Sequence, residues 1–188
     1  MLGIVGLGHV GKQVAPRPQG MRLNVQTYDP YLAPKIAQDM GVKMVPFDEL
    51  VATSDFISVH APLTKQTRHM FGAAQFKAMK KTAYLINCAR GGLVDSDGLY
   101  EALVAGELAG AALDVTEPEP LPADHKLLTL PNVIVTCHTA ANSDESYADC
   151  QTHAAREVAN VLSGKGPTTE IKDPWLLAEA QDEGFGGV

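Results

Sequence analysis

Leu2-Gly3-Ile4-Val5-Gly6-Leu7-Gly8-His9-Val10-Gly11 decides how the chain is read. It runs apolar to Val5, turns on glycine, and continues in residues that suit a helix. Gly6, Gly8 and Gly11 form G-x-G-x-x-G. In a strand–turn–helix unit Gly6 permits the tight turn, Gly8 lets a pyrophosphate approach the backbone, and Gly11 lets helix and strand pack closely. Helix-start N–H groups then face the phosphates, with the helix dipole adding attraction. A second apolar run, Leu23 to Tyr28, ends at Asp29, 23 residues after Gly6. That spacing suits a carboxylate holding an adenosine ribose. The pattern alone is weak in a chain with 17 glycines, and its place after an apolar strand strengthens it.

The rest of the chain alternates. Strands are expected at Leu2–Val5, Arg22–Tyr28, Lys43–Val45, Phe56–Val59, Ala83–Asn87, Ala109–Leu113 and Val133–Val135. Helices are expected after Gly11, over Leu32–Met40, from Pro46, over Ala73–Met79, and from a cap at Asp95 through Ala105. A last, long helix should open on an Asn142/Glu145 capping box and run to Leu162. Pro16 and Pro18 should bend or stop the first helix near Ala15, because an interior proline lacks the N–H and clashes with the preceding turn. Residues 115–130, with Pro118, Pro120 and Pro122, read as an irregular loop. The tail carries an apolar patch at Pro174–Ala178 and a frayed end at Gly184–Gly187. This alternation predicts an α/β fold, a doubly wound parallel sheet of Rossmann type. Its ligand should sit beyond the C-terminal strand ends.

Composition narrows the function. The 188 residues are 45% hydrophobic and carry a net charge of −7, which argues against nucleic acid or an anionic membrane as main partner. No apolar run reaches the roughly 18 residues of a spanning helix. Nothing at the start reads as a secretory signal. Three cysteines, Cys88, Cys137 and Cys150, without a C-x-x-C pair fit a reducing cytoplasm and no metal site. Each is expected as a small buried hydrophobe.

Arg90, Glu119 and His138 stand out among the strand-end loops. A guanidinium at Arg90 can grip a carboxylate through two parallel bonds and polarise an adjacent carbonyl. An imidazole at His138 can pass a proton either way near neutrality. A carboxylate at Glu119 would orient the ring. Taken alone, an Arg beside glycines is commonly a surface ion pair, a His after a strand a satisfied loop residue, and a Glu among prolines simply solvated.

Several motifs in one register resemble the nucleotide-binding domain of the D-isomer-specific 2-hydroxyacid dehydrogenases, the D-3-phosphoglycerate dehydrogenase-like group. They are GIVGLGHVG, Y-D-P at 28–30, H-A-P-L-T at 60–64, N-C-A-R-G-G-L-V-D at 87–95, A-G-A-A-L-D-V at 109–115, E-P at 119–120 and L-P-N-V-I-V-T-C-H at 130–138. The resemblance implies Arg90, Glu119 and His138 as the catalytic residues. It implies an NAD site lined by Gly6, Gly8, His9, Val10, Gly11, Asp29, Ala61, Pro62, Thr67, Cys88, Ala89, Arg90, Asp114, His138 and Ala141. Asp114 would meet the nicotinamide carboxamide. Asp29, with no Arg at 30 or 31, favours NAD over NADP.

The expected partner is a small 2-hydroxy or 2-oxo acid, in a cytoplasmic homodimer. Residues 1–166 would form the NAD-binding domain. Residues 167–188 would be a remnant of the return into a substrate domain, whose N-terminal segment is expected to be lacking. Pro16, Pro18 and Cys137, the last where a proline is usual, depart from the family pattern. A non-enzymatic NAD-binding scaffold, like the corepressors on this fold, or an inactive fragment is the alternative. A formate dehydrogenase-like chemistry fits less well, because it pairs the histidine with an amide.

Overall fold

β1 (Leu2–Val5) is buried along its whole length and lies at the centre of the sheet. A strand buried on both faces must be continuously apolar, and this one is. It pairs in parallel with β2 (Val25–Tyr28) on one side and β4 (Phe56–Val59) on the other. β3 (Lys43–Met44) extends the first side. β5 (Tyr84–Asn87), β6 (Gly110–Leu113) and β7 (Val133–Val135) extend the second. The result is a seven-stranded, all-parallel sheet in the order β3-β2-β1-β4-β5-β6-β7. This computed structural model describes residues 1–168; the expected apolar patch at Pro174–Ala178 and the frayed end lie outside the described residues.

Helices α1 (His9–Val14), α2 (Pro16–Gly20) and α3 (Pro34–Asp39) belong to the β1–β3 half. β1 divides its side chains between two cores. Leu2 and Ile4 join Ala15, Val25, Ala37 and Val42, whereas Val5 joins the larger core. That larger core receives Leu50 from α4 (Phe47–Thr53), Phe76 from α5 (Ala73–Ala78) and Leu99 from α6 (Ser96–Val104). The opposite face of β4–β7 has no cover from the first unit. Phe56 and Tyr84 stack at 5.7 Å and are 40% and 43% exposed, and Ile134 is 66% exposed. The register places Phe56 beside Tyr84, and Ile86, Ala112 and Ile134 in one row next to them.

Several boundaries differ from expectation for local reasons. The first helix does break at Ala15, yet Ala15 itself keeps helical angles and α2 starts with Pro16 in its first position. Proline is tolerated there because that N–H would be unpaired anyway. The chain is therefore interrupted rather than ended. β2 starts at Val25, not Arg22: Arg22 adopts a left-handed φ of 61° and its N–H returns to the Gln19 carbonyl. α3 starts at Pro34, because the residue before a proline is pushed out of the helical region. The proline-rich loop contains a 3₁₀ turn at Lys126–Thr129. All three cysteines are exposed free thiols, contrary to the expected burial, because they lie on strand-end loops and on a helix with no buried residue.

The chain divides into two compact units, 1–140 and 141–188, so the boundary expected at 166 falls inside the second. The described part of that unit is α7 (Asp144–Leu162) with its flanks. Its cap is Ser143 rather than Asn142, with Ser146 as the reciprocal partner. Either Asn or Ser can accept a helix N–H. The extended backbone at Ser143 (φ −143°, ψ 160°) decides between them.

Candidate functional site

The strand order reverses between β1 and β4, and ligands of such sheets bind in the crevice outside those strand ends. Gly6 leaves β1 with a φ of +89°, and a Cβ there would lie 2.9 Å from the Ala61 nitrogen on the β4 side. Only glycine fits that turn. A Cβ on Gly11 would lie 2.2 Å from the Gly6 carbonyl oxygen, so α1 presses directly on the turn. A Cβ on Gly8 would meet nothing within 4 Å. Open space faces that backbone, and His9 and Val10 beside it are exposed. Asp29, at the end of β2, accepts the Leu7 N–H at 2.9 Å on Oδ2 and the Tyr31 N–H at 3.0 Å on Oδ1. The acid thus holds the glycine turn and keeps a second lone pair on each oxygen.

On the β4 side, Ala61 is buried and Pro62 exposed. Thr67 donates to the Pro62 carbonyl at 2.7 Å and accepts the Thr64 N–H at 2.7 Å, which folds residues 62–67 into a closed loop. His60 is half-buried against Ser58 Oγ at 2.9 Å, and burial pushes its imidazole below the usual range.

After β5, fully buried Asn87 holds the next loop. Its amide donates to the Arg90 carbonyl at 2.9 Å and its oxygen accepts the Ala89 N–H at 3.1 Å. Cys88 and Arg90 are therefore presented outward on a fixed backbone, with Ala89 half-buried between them. Arg90 Nη1 donates to the Ala89 carbonyl at 2.7 Å, leaving the rest of the guanidinium to solvent. Partial desolvation and the Asp114 carboxylate push the Cys88 thiol up, so it is a poor nucleophile.

Asp114, at the end of β6, organises the loop after β7. Oδ1 accepts from Thr136 Oγ1 at 2.5 Å and from the Thr139 N–H at 2.8 Å, and Oδ2 accepts the Ala140 N–H at 2.8 Å. The Thr136 hydroxyl and these N–H groups hold its carboxyl below the usual range. Its carbonyl takes the His138 N–H at 2.8 Å, and His138 sits at a left-handed φ of 56°. His138 Nδ1 then meets Glu119 Oε1 at 2.6 Å. The imidazole beside it holds the Glu119 carboxyl low, with help from the Thr116 N–H and from Arg90. An ionised carboxylate only accepts, so Nδ1 carries the proton and Nε2 is the nitrogen left to take up another.

The first unit thus gathers the expected residues around one end of the sheet, Arg90, Glu119 and His138 among them. Ala141 belongs to the second unit. Sequence reasoning missed Asn87 and Glu117. A polar residue closing an apolar strand before a turn was the available signal for Asn87. Glu117 lay unremarked in the same E-P-E-P run as Glu119.

Comparison with known proteins settles the family. The model of the D-isomer specific 2-hydroxyacid dehydrogenase, NAD binding domain, matches residues 1–140. The chain belongs to this family. A D-3-phosphoglycerate dehydrogenase of Methanocaldococcus jannaschii is 47% identical over 179 residues, 95% of this chain and 34% of the relative. A glyoxylate reductase of Korarchaeum cryptofilum is 46% identical over 166 residues, 88% of this chain and 50% of the relative. The NAD-complexed form of a D-isomer specific 2-hydroxyacid dehydrogenase from Lactobacillus delbrueckii ssp. bulgaricus superposes with a TM-score of 0.82 at 33% identity, covering 91% of this chain and 55% of that one. The chain spans between a third and just over a half of the length of these relatives.

The NAD-binding domain fits its cofactor at the glycine turn. The one glycine of the fingerprint with nothing opposite it is Gly8, where a phosphate must approach. Gly6 and Gly11, whose Cβ positions are filled, build the turn itself. Asp29 stands beside that turn with acceptor capacity to spare.

Proposed function

We propose that this domain supplies the cofactor site and the acid–base couple of an oxidoreductase acting between a D-2-hydroxy acid and its 2-oxo acid. The 2.6 Å contact of His138 Nδ1 with Glu119 Oε1 carries the reading. A cofactor-binding scaffold has no need of a histidine locked in one tautomer by a carboxylate. When bound, NAD(H) supplies the hydride acceptor or donor at its nicotinamide ring.

The chain's own residues do the rest. Arg90 binds the substrate carboxylate with the guanidinium edge left free by Ala89. His138 Nε2 takes the hydroxyl proton during oxidation and returns it during reduction. Glu119 keeps Nδ1 protonated and offsets the charge of the imidazolium that forms. Asp114 fixes the loop on which His138 stands. Gly8 and the amides beside it receive the pyrophosphate, and Asp29 receives the ribose hydroxyls in preference to a 2′-phosphate. Asp114 Oδ2 has one lone pair left for a nicotinamide carboxamide donor.

Calorimetric titration of the 188-residue chain with NADH tests the cofactor half of this reading. Binding weakened by Asp29→Ala supports it; absence of binding rejects it for this chain. His138→Asn tests the other half in a chain completed by a substrate domain. Asn tolerates the left-handed backbone at this position, so NADH binding should persist while turnover is lost. Retained turnover would reject the role of His138. The proposal extends to a homodimer, implied by the family resemblance and testable by light scattering. It extends also to a cytoplasmic setting, in keeping with three free thiols.

A further inference from the structure

Glu117 precedes Glu119 by two residues and is held from another part of the chain. Arg68 Nη2 donates to its Oε1 at 2.6 Å, and His69 Nε2 meets its Oε2 at 2.7 Å. Ser96 Oγ donates to its backbone carbonyl at 3.1 Å. These contacts close a ring of three segments. The His69 N–H donates to the Gly92 carbonyl at 2.7 Å, which ties the 68–69 segment to the turn after Arg90. A Cβ on Gly91 would lie 1.9 Å from the Thr116 carbonyl oxygen, so that same turn rests on the loop carrying Glu119. His69 adopts a left-handed φ of 50° within the segment whose side chains reach Glu117.

Residues 116–119 are also folded on themselves. Thr116 Oγ1 donates to the Pro118 carbonyl at 2.9 Å, and the Thr116 N–H approaches Glu119 Oε2 at 3.4 Å. A displacement of Glu117 is therefore passed to Glu119. We propose that Arg68, His69 and Glu117 form a positioning clamp that sets the Glu119 carboxylate against His138. The inference rests on the proposed His138–Glu119 couple and deepens it. Glu117 has both oxygens occupied within the clamp, and its part is to hold the loop rather than to meet substrate. Exposed ion pairs contribute little to stability, so the clamp should be visible in geometry more than in melting temperature.

The test is the imidazole ¹⁵N spectrum of His138 in the histidine-labelled 188-residue chain, assigned by comparison with His138→Gln. The parent should show the Nδ1–H tautomer wherever the ring is neutral, and Glu119→Leu, which removes the acceptor, should abolish that preference. Glu117→Gln keeps the volume and the carbonyl that accepts from Ser96, and should give a mixture of tautomers. It should also raise the pH at which Glu119 titrates, read from its carboxyl ¹³C shift. His69→Asn is the second variant: it tolerates the left-handed backbone but is too short to reach Glu117. It should reproduce the effect and carries the test if Glu117→Gln does not fold. Glu49→Gln, which removes the remote Lys43 ion pair, is the control and should leave the spectrum unchanged. A parent-like spectrum in both clamp variants overturns the inference while sparing the couple. A parent that does not respond to Glu119→Leu overturns both.

Discussion

At Gly8 and Gly11 one added methyl group should have opposite effects. Gly11→Ala drives a Cβ into the Gly6 carbonyl, and overpacking of this kind costs about 1–3 kcal/mol. Gly8→Ala meets no atom, so the urea midpoint should barely move, within ~0.5 kcal/mol. NADH affinity should nevertheless fall, because the methyl occupies the approach to the backbone. Equal affinity in parent and Gly8→Ala would remove Gly8 from the cofactor site. Asp114 makes a prediction in pH. Its folded carboxyl is held below the ordinary aspartate value of 3.8, so the unfolded chain takes up the proton first. Its contribution to stability is complete above that value and is lost as pH falls beneath it. Urea midpoints measured from pH 7 to pH 3 should fall, and Asp114→Asn should flatten the decline; an unchanged slope would remove Asp114 as a source of acid sensitivity. Arg90, Glu119 and His138 stand out in the sequence because their chemistry and their strand-end positions coincide. The clamp was not, because Arg68 and Glu117 are 49 positions apart and only folding joins them.

Elements follow the same division. The apolar runs that became β1, β4 and β7 were readable to the residue, because each is short and set off by polar or turn residues, Ser54-Asp55 before β4 and Pro131-Asn132 before β7 among them. Ends set by backbone geometry were less readable, as at Arg22 and at the α7 cap. The α1–α2 interruption yields a test. Pro16→Ala restores an N–H that has no partner at the first position of α2, so the urea midpoint should shift by no more than ~0.5 kcal/mol. A loss of stability would mean that the break at Ala15 is required by the packing of α2. Asp95 caps α6 by accepting the Gly98 N–H at 3.2 Å, and Asp95→Ala should cost about 1 kcal/mol in urea denaturation.

The whole molecule shows what a one-dimensional pattern conceals. Parallel sheets are ordinarily covered on both faces, yet the β4–β7 half is covered within the first unit on one face alone. Phe56-Ile57-Ser58-Val59 gives no hint of this, since its two faces read alike until the helices are placed. The isolated chain should bind a hydrophobic dye such as anilinonaphthalene sulfonate, and Ile134→Thr should reduce the fluorescence. Unchanged fluorescence would locate the dye elsewhere.

The central place of β1 has a consequence for how the sheet is built. β1 precedes both of its neighbours in the chain: β2 begins at residue 25 and β4 at residue 56. Each pairing closes a long loop, and such folds assemble slowly. Ile4 and Val5 find their partners on one side at Thr27 and Tyr28, and on the other only at Ser58 and Val59. Removal of β1 would split the sheet into two pieces that share no strand.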